Sequence, residues 1–334
     1  MKSKICLTGI KPTGTPHLGN YIGSIKPALS LAKKENHQSF YFIADYHALI
    51  NNHDKSMLEE QIYEVAASWL ALGLDSEKTT LYQQSDIPEI LELNWILSCF
   101  AGKGLLNRAH AYKAATDKNK QSHKDCDSGV SMGLFCYPVL MAADILFISS
   151  DIVPVGADQV QHIEIARDIA QTFNHTYGET LSIPESFVQK EAALVPGLDG
   201  RKMSKSYNNH IPLFLPEKKL RKLIMKIPTD STPPETPKDP EQSNVFKLYQ
   251  TLANPNQLNE QREKYQNGIS WGEAKQELYE LINKDLAPAR ERYADLMNNK
   301  KIIREILREG AERVRPKAQN LLQEVKERIG LKLK

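Results

Sequence analysis

The sequence predicts an α/β fold, with a Rossmann-type parallel sheet in residues 1–210, followed by an all-α segment in residues 211–334. Three observations lead to this expectation. Short apolar runs alternate with stretches of helical periodicity through the first 210 residues, which is typical of parallel strands joined by crossover helices. The chain opens with a strand, a glycine-bearing loop and a helix start. Only helical spacing recurs after residue 210, so two domains are expected in a chain of 334 residues.

The opening elements come in the order that a nucleotide-binding α/β fold requires. Residues 5–8 predict a short buried strand, residues 9–14 a loop, and residues 16–25 a helix with regularly spaced apolar side chains. Free backbone N–H groups at such a helix start can face a phosphate. The loop has neither the G-x-G-x-x-G pattern nor the Walker spacing. Spacing alone therefore does not establish a nucleotide site.

The next elements continue the alternation of strands and helices. Residues 40–44 and 80–83 predict further strands, and residues 55–72 predict a helix. Pro88 in a first turn indicates another helix that runs to about residue 100. Residues 103–131 are polar and carry little periodicity, so we expect an exposed connection there.

One later helix carries a carboxylate among apolar residues. Pro138 stands where a helix can begin, and Tyr137, Met141 and Asp144 then share one face at i, i+4 and i+7. Burying a carboxylate in so apolar a helix is costly unless it finds a donor. Two explanations stay open: a basic side chain or backbone amide elsewhere in the fold, or a ligand with an apolar body and a single N–H.

Residues 151–159 predict a strand that ends in a tight turn, and residues 161–170 predict the helix after it. Asp158 in this turn precedes the predicted helix by the number of residues expected of an N-cap. Beyond residue 210, a short helix at 216–226 precedes a proline-rich hinge at 227–240. Further helices are expected near 244–253, 257–266, 271–297, 299–313 and 316–329.

Composition excludes several classes of protein. Hydrophobic residues make up 41% and charged residues 25% of the chain, which is ordinary for a soluble globular protein. The longest apolar run, residues 133–148, contains Asp144 and is too short for a membrane span, and the N-terminal apolar stretch is too short for a signal peptide. The four cysteines have no zinc-binding spacing. We therefore expect reduced thiols in a cytoplasmic protein without a membrane partner.

The net charge of +2 conceals an uneven distribution. Residues 1–210 hold 19 Lys+Arg against 23 Asp+Glu, whereas residues 211–334 hold 24 against 18. The C-terminal half is the better partner for a polyanion. A solvated face is the alternative explanation of its last basic run, because acids are interleaved with Lys300, Lys301, Arg304, Arg308, Arg313, Arg315 and Lys317.

Residues 197–209 form the most distinctive basic loop of the chain. Lys202 and Lys205 lie three residues apart, with hydroxyls at Ser204 and Ser206 and two glycines that free the backbone. Long ammonium side chains on such a loop suit a polyphosphate whose charge rises during a reaction. A solvated basic turn is the usual explanation of an isolated K-x-x-K.

Three short motifs give these residues a common explanation. Residues 202–206, Lys-Met-Ser-Lys-Ser, resemble the KMSKS signature of class I aminoacyl-tRNA synthetases letter for letter. Residues 17–20, His-Leu-Gly-Asn, resemble the HIGH signature of that class, and residues 156–159 resemble its G-x-D-Q element. Residues 137–144 are similar to the amino-acid-reading helix of the tryptophanyl-tRNA synthetases. Over nearly its whole length the chain resembles the bacterial-type members of that family.

The resemblance implies a ligase that uses ATP to convert L-tryptophan to tryptophanyl-adenylate and then charges tRNA(Trp). It implies ATP as substrate, Mg²⁺ as cofactor, a cytoplasmic homodimer, and no metal site built by the protein itself. Implied catalytic residues are His17, Lys202 and Lys205. Implied ATP-binding residues are Lys11, Pro12, Thr13, Gly19, Asn20, Gly156, Ala157, Asp158, Val195, Lys202, Met203, Ser204, Lys205 and Ser206. Implied tryptophan-binding residues are Leu7, His47, Tyr137, Met141, Asp144 and Gln159.

Individual roles follow from the same resemblance. Asp158 is expected to hold the ATP ribose, Gln159 the substrate amino group and Asp144 the indole N–H. Residues 1–210 would form the catalytic domain with both small-molecule sites and the dimer interface, and residues 211–334 would bind the tRNA anticodon. Independently of the resemblance, residues 103–131 are expected to be an exposed connection, and the alternative for them is an ordered role at a subunit interface or against tRNA.

The chain differs from the pattern of the family at two positions, and three other functions are alternatives to this interpretation. Lys11 replaces a frequent glutamine near ATP, and Leu7 replaces a frequent aromatic residue beneath the indole. A tyrosine-specific synthetase is the nearest alternative, but Met141 stands where that sibling usually has glutamine, and a thioether offers no strong hydrogen bond to a phenol. A small nucleotidyltransferase would have no use for more than a hundred helical residues. A non-catalytic RNA-binding paralogue would not need both lysines and the histidine.

Overall fold

A five-stranded parallel sheet forms the centre of the molecule. The structure is a computed structural model that describes residues 3–33, 37–156, 159–188 and 195–332. The strands are β1 (Lys4–Ile10), β2 (His37–Ile43), β3 (Thr80–Gln83), β4 (Ile152–Val155) and β5 (Glu185–Val188), in the order β3-β2-β1-β4-β5. The order reverses between β1 and β4, which opens a crevice at their carboxyl ends where α/β folds bind ligands. The predicted Rossmann-type sheet is confirmed.

Both faces of the sheet are buried, as the apolar strand sequences require. In β2, Phe40 and Phe42 pack into the core on one face, whereas Tyr41 and Ile43 pack into the core on the other. β1 and β2 pair in register from Lys4 with His37 through Ile10 with Ile43. Continuous apolar runs are typical of parallel strands covered by helices on both sides.

Helices connect the strands and make up the rest of the chain. The first half contains α1 (Leu18–Asn20), a π-helical turn at Tyr21–Ile25, α2 (Lys26–Ala32), α3 (Asp45–Ala48), α4 (Lys55–Ala71), α5 (Glu89–Ser98), α6 (Lys103–Leu106), α7 (His110–Gln121), α8 (Met132–Leu146) and α9 (Val160–Tyr177). The second half contains α10 (Glu217–Met225), α11 (Asn244–Gln250), α12 (Pro255–Asn267), α13 (Trp271–Asn298) and α14 (Lys300–Arg328).

Three helix predictions need correction. The polar segment 103–131 contains α6 and α7 rather than only an exposed connection, although most of it is exposed. α8 begins at Met132, capped by the Ser131 hydroxyl, so Pro138 lies inside the helix instead of at its start. α14 continues through Pro316, where two helices were expected. A proline inside a helix costs about 3 kcal/mol. In α8 the buried apolar side chains follow Pro138, after a first turn and a half that is exposed or partly buried, whereas in α14 they lie on both sides of Pro316. This packing offsets the cost of each proline.

The last two helices return to the sheet. α13 packs along α4, and α14 lies against β3 and α5. At Gly310 the contact is so close that an added Cβ would lie 1.8 Å from the Leu81 carbonyl oxygen. Several basic side chains of α14 bind partners in the first half of the chain, including Arg304 at 2.8 Å from the Tyr63 hydroxyl. α14 thus covers the outer edge of the sheet next to β3. Within the described ranges, no helix is both long and apolar enough to cross a membrane.

Candidate active site

The first half of the candidate site forms around His17, downstream of β1. His17 is the N-cap of α1: its Nδ1 accepts the N–H of Asn20 at 3.2 Å, and Asn20 Oδ1 accepts the N–H of His17 at 3.0 Å. Because Nδ1 is an acceptor, the neutral imidazole must carry its proton on Nε2. Burial, then His210 and Lys205, lower the pKa of His17 to about 4. At neutral pH His17 is therefore an uncharged N–H donor.

The KMSKS loop docks on the residues that carry the HIGH-like motif. The Gly19 N–H points at Met203 Sδ at 3.2 Å, and the Leu18 N–H donates to the Ile211 carbonyl at 2.8 Å. Met203 in turn donates its N–H to the Val195 carbonyl at 3.0 Å, and both of these side chains are buried. The structure thus brings the two motifs into direct contact. Val195 and Met203 contribute packing and backbone anchors to this arrangement.

Asn209 fixes the shape of the loop from inside. Its side chain is 3% exposed; Oδ1 accepts the Ser204 N–H at 2.8 Å, and Nδ2 donates to Asp199 at 2.7 Å and to the Lys202 carbonyl at 3.1 Å. A Cβ at Gly197 would lie 2.3 Å from the Asn209 amide nitrogen, so the close contact between residues 197 and 209 requires glycine. Hydrogen bonds from Asn209 lead the causes that lower the pKa of Asp199.

Lys205 reaches back to the first loop. Its Nζ donates to the Thr13 carbonyl at 2.8 Å, while the Glu64 carboxylate nearby accepts the Thr15 N–H at 3.1 Å. Burial lowers the pKa of Lys205, and the charge of Glu64 acts in the opposite direction. Gly14 has a φ of +81°, and a Cβ there would lie 3.3 Å from Glu64 Oε2. An ammonium group is therefore held beside a glycine loop at the head of the crevice.

The remaining predicted phosphate-binding residues surround this contact. Lys202 and Ser206 are exposed, and Ser204 Oγ accepts the Ser206 N–H at 3.2 Å at the start of a short 3₁₀ turn. Pro12 is buried in the first loop. Burial lowers the pKa of Lys11. The loop after β1 and the KMSKS loop, which meet through Lys205 and the Thr13 carbonyl, together carry three lysines.

The second half of the site forms around Asp144 on α8. This carboxylate is 1% exposed; its Oδ2 lies 2.9 Å from His47 Nε2, and Gln84 Nε2 donates to Oδ1 at 2.8 Å and to Oδ2 at 2.9 Å. Burial raises the pKa of Asp144, whereas the bonds from His47 and Gln84 lower it. The protein thus supplies donors to Asp144. A carboxylate has about four acceptor positions, so one further N–H can still be accepted.

Aromatic and apolar side chains stand next to Asp144. The Tyr137 ring meets the His47 ring edge-on, with centroids 6.3 Å apart, and its hydroxyl bonds His162 Nε2. Met141 is half-buried on the same helix face. Leu7 is buried in the core that also contains the inner face of α8. A single carboxylate beside a thioether and an aromatic ring suits a flat apolar ligand with one polar N–H.

Strand topology places the two halves at one edge of the sheet. His17, His47 and Gln84 follow the carboxyl ends of β1, β2 and β3, and Gly156 follows β4. The Gly156 carbonyl accepts the Gln159 N–H at 2.9 Å. Ala157 and Asp158, which were predicted to bind ATP, lie outside the described residues.

Sequence reasoning missed four residues of this region. Gln84 binds Asp144, Glu64 lies beside Lys205, and His210 lies next to His17 with its ring tilted. Asn244, at the start of α11, donates to the carbonyls of Gly197 at 2.9 Å and Leu198 at 3.1 Å. The position of Gln84 directly after a predicted strand was a usable signal. No sequence pattern pointed to the other three.

The arrangement is suited to a nucleotide reaction without a protein nucleophile. Cations and neutral N–H donors stand at one end of the crevice, and a buried carboxylate stands at the other. Among the described residues, no group of three or more His, Cys, Asp and Glu side chains could hold a metal ion. The donors present suit charge stabilisation of a polyphosphate.

Comparisons with known proteins extend these observations. The family described as tRNA synthetases class I (W and Y) matches residues 2–287. A protein of Pseudomonas aeruginosa named tryptophan–tRNA ligase is 52% identical over 329 residues, which are 98% of this chain and 73% of that protein. A protein of the same name from Xanthomonas campestris is 52% identical over 328 residues, which are 98% of this chain and 76% of that protein.

A solved structure agrees with the sequence relatives. Tryptophanyl-tRNA synthetase from Campylobacter jejuni, complexed with ADP and tryptophan, superposes with a TM-score of 0.89 at 45% identity and covers 98% of this chain and 99% of that one. A tyrosyl-tRNA synthetase from Aeropyrum pernix superposes with a TM-score of 0.64 at 17% identity and covers 91% of this chain and 88% of that one, which shows a shared fold alone.

Proposed function

Because the chain belongs to the class I tRNA synthetases for tryptophan and tyrosine, we propose that it is a tryptophan–tRNA ligase. One structural observation carries the proposal. The KMSKS loop closes directly on the HIGH-like motif, with Lys205 Nζ 2.8 Å from the Thr13 carbonyl, at the carboxyl edge of the parallel sheet. Contact between these motifs holds basic side chains where they can stabilise the charge of a leaving pyrophosphate.

The reaction has two steps. A tryptophan carboxylate oxygen attacks the α-phosphorus of ATP; the new P–O bond forms as the bond to the β-phosphate bridge breaks, and pyrophosphate leaves. The terminal ribose hydroxyl of tRNA(Trp) then attacks the acyl carbonyl, loses its proton and displaces AMP. Neither step needs a covalent intermediate on the protein. Positioning and electrostatic stabilisation therefore account for the catalysis.

The roles of the basic residues follow from the negative charge that the leaving pyrophosphate carries. Lys202 and Lys205 are exposed on the loop and can follow that charge, while His17 donates a neutral N–H from Nε2. Lys11 would add a further cation near the triphosphate. Mg²⁺ would enter as part of the Mg·ATP substrate, bound by phosphate oxygens and water, because this ion is usually held in that way.

The amino-acid half of the site supports indole as the ligand. Asp144 would accept the indole N–H beside the His47 and Gln84 donors, and Met141 and Tyr137 would supply apolar contact. Gln159 would bind the substrate amino group and Leu7 would lie beneath the ring. Asp158 would hold the ATP ribose.

The basic side chains of the protein differ in whether they form ion pairs, and this difference supports separate contacts for two parts of the tRNA. Several α14 cations bind the first half of the chain, including Arg315 at 2.9 Å from Glu89 and Lys326 at 2.6 Å from Glu92. On α7, by contrast, exposed Lys113, Lys118 and Lys120 form no ion pair with any described residue. We propose that α7 contacts tRNA phosphates near the active site, while residues 211–334 form a helical domain that binds the anticodon.

The exposed apolar side chains of two adjacent helices support a homodimer. Trp95 on α5 is 72% exposed, Met132 at the start of α8 is 71% exposed, and Leu91 is 40% exposed. Large exposed apolar side chains on two helices that pack against each other are candidates for a protein interface. A Trp95→Glu variant should sediment as a monomer if these residues form the interface. A cytoplasmic location is proposed from the reaction alone, because tRNA charging supplies translation.

Exchange of labelled pyrophosphate into ATP tests the function. Each of the twenty amino acids is supplied in turn, and exchange should occur with tryptophan and with no other. Exchange with tyrosine instead would overturn the specificity, and no exchange with any amino acid would overturn the reaction. A Lys118→Glu/Lys120→Glu variant should keep full exchange but show a higher KM for tRNA in charging, with a weaker dependence of that KM on salt.

A further inference from the structure

His210 is a histidine that the reaction described above does not use. It lies between Asn209, which anchors the KMSKS loop, and Ile211, which is fully buried and whose carbonyl accepts the Leu18 N–H. The backbone at Pro212 pairs antiparallel with His17. The segment that leaves the KMSKS loop is therefore held directly against the HIGH-like motif.

This pairing brings two imidazoles together. The ring centroids of His17 and His210 are 5.9 Å apart, with an interplanar angle of 54°. The charge of Lys205 lowers the pKa of both imidazoles, after burial, which is the larger cause for each. Two imidazoles and an ammonium group thus share one small region at the end of the crevice.

His210 has an unused polar atom in this region. Its Nδ1 is buried and forms no hydrogen bond with any described residue. A buried nitrogen without a partner costs free energy, and a turn of the His210 ring that brings Nδ1 to a phosphate oxygen would remove this cost. The Nδ1 of His17, in contrast, is already used by the cap of α1.

We propose that His210 is a second imidazole ligand of the ATP triphosphate, paired with His17 and next to Lys205. The inference rests on the proposed function and adds a substrate contact to it. Two neutral imidazoles donate hydrogen bonds to phosphate oxygens without adding positive charge. His210 therefore contributes to ATP binding, and it does not touch the amino acid.

Steady-state exchange kinetics test this assignment. His210→Ala should raise the KM for ATP about fivefold, the effect of one lost hydrogen bond, while the KM for tryptophan stays within about twofold. His210→Gln keeps an N–H donor and should recover most of the ATP affinity. The matched control is His175→Ala, an exposed histidine in the last turn of α9, which should change neither constant.

Direct binding separates this inference from the proposed function. Calorimetry measures the Kd of an ATP analogue with a methylene between the α- and β-phosphates, in the absence of any amino acid. A weaker Kd in His210→Ala supports the inference even if wild-type protein activates no amino acid. Unchanged Kd and KM in a folded His210→Ala protein overturn it, even if tryptophan is activated normally.

A measurement on wild-type protein covers the case in which His210→Ala does not fold. Protein labelled with ¹⁵N-histidine is titrated with the same analogue, and the His210 imidazole resonances are assigned with the His210→Gln variant. Shifts of the His17 and His210 signals with the same midpoint support a shared ligand. A shift of His17 with no change at His210 overturns the proposal.

Discussion

Replacing Asp144 with asparagine tests the recognition of indole with little change in shape. The carboxylate now accepts from His47 Nε2 and, through both oxygens, from Gln84 Nε2. Asparagine retains one acceptor oxygen for Gln84. Its amide N–H₂ faces His47, whose ring can change tautomer to accept instead. The variant therefore keeps one hydrogen bond to each of His47 and Gln84 but loses the second contact from Gln84 and the negative charge.

The size of the effect follows from that loss. A hydrogen bond to a charged acceptor contributes about 1.5–3 kcal/mol, against roughly 1 kcal/mol for a neutral one. If the indole N–H donates to Asp144, binding should weaken by about 1–2 kcal/mol, or roughly five- to thirtyfold in Kd. Burial raises the pKa of this carboxyl. Removing its charge also removes a desolvation cost, so stability should change little.

Calorimetry of tryptophan and of a non-reacting ATP analogue provides the assay. The tryptophan Kd of Asp144→Asn should rise as stated while the analogue Kd stays constant. Asp144→Ala serves as the comparison, because it leaves His47 and Gln84 without their acceptor and should also lower the melting temperature. An unchanged tryptophan Kd in Asp144→Asn would show that the indole N–H binds elsewhere. Equal loss of both ligands would make Asp144 a residue that only holds the fold.

Three further predictions concern the phosphate end and the sheet edge. In pre-steady-state assays, Lys205→Ala should slow adenylate formation at least about tenfold, or on the order of 1.4 kcal/mol, and should leave tryptophan affinity unchanged. An unaltered rate would show that the KMSKS loop does not contact the transition state. The pKa of His17, lowered to about 4, lies below its usual 6.5, so the unfolded chain binds more protons between these values. The free energy of unfolding should therefore fall as pH drops from about 6.5 to 4. Urea titrations of His17→Gln should show a weaker dependence of this free energy on pH. The same pH dependence in both proteins would contradict the lowered pKa of His17. Gly310→Ala should lower the free energy of unfolding by about 2 kcal/mol or more, because its Cβ would overlap the backbone of β3. Gly272→Ala, whose Cβ meets only open space and one hydroxyl at 3.9 Å, should be neutral or stabilising; equal effects at both glycines would refute the close approach.

Four of the five strands and most helices could be predicted because their signals are local, whereas no strand was predicted at β5. The strand at residues 80–83 was predicted with the bounds that the structure gives, and helix periodicity located α4, α5, α10 and α13 to within a few residues. Predictions failed where tertiary packing overrode a local signal. Pro138 and Pro316 predict helix boundaries, but α8 buries an apolar face after Pro138 and α14 buries one on both sides of Pro316. The polar sequence of α7 gave too little periodicity to show its helix.

The sequence by itself determined which chemical groups the site contains. Two lysines on a loop with glycines, a histidine at a helix start and one carboxylate in an apolar helix are each visible within a few residues of chain. Such motifs depend on spacing along the backbone, which is encoded locally. They already define a polyphosphate end and an amino-acid end.

Only the tertiary structure decided which of these groups meet. Sheet order brings Gln84 to Asp144, and the return of the chain after the KMSKS loop brings His210 to His17. These partners are 60 or more residues apart in the chain, and nothing local records their pairing. The physical reason is that the carboxyl ends of parallel strands converge at one edge. Side chains that are distant in sequence are then buried together. An unpaired polar atom or an unpaired charge in such a place has a large effect on stability and on ligand binding.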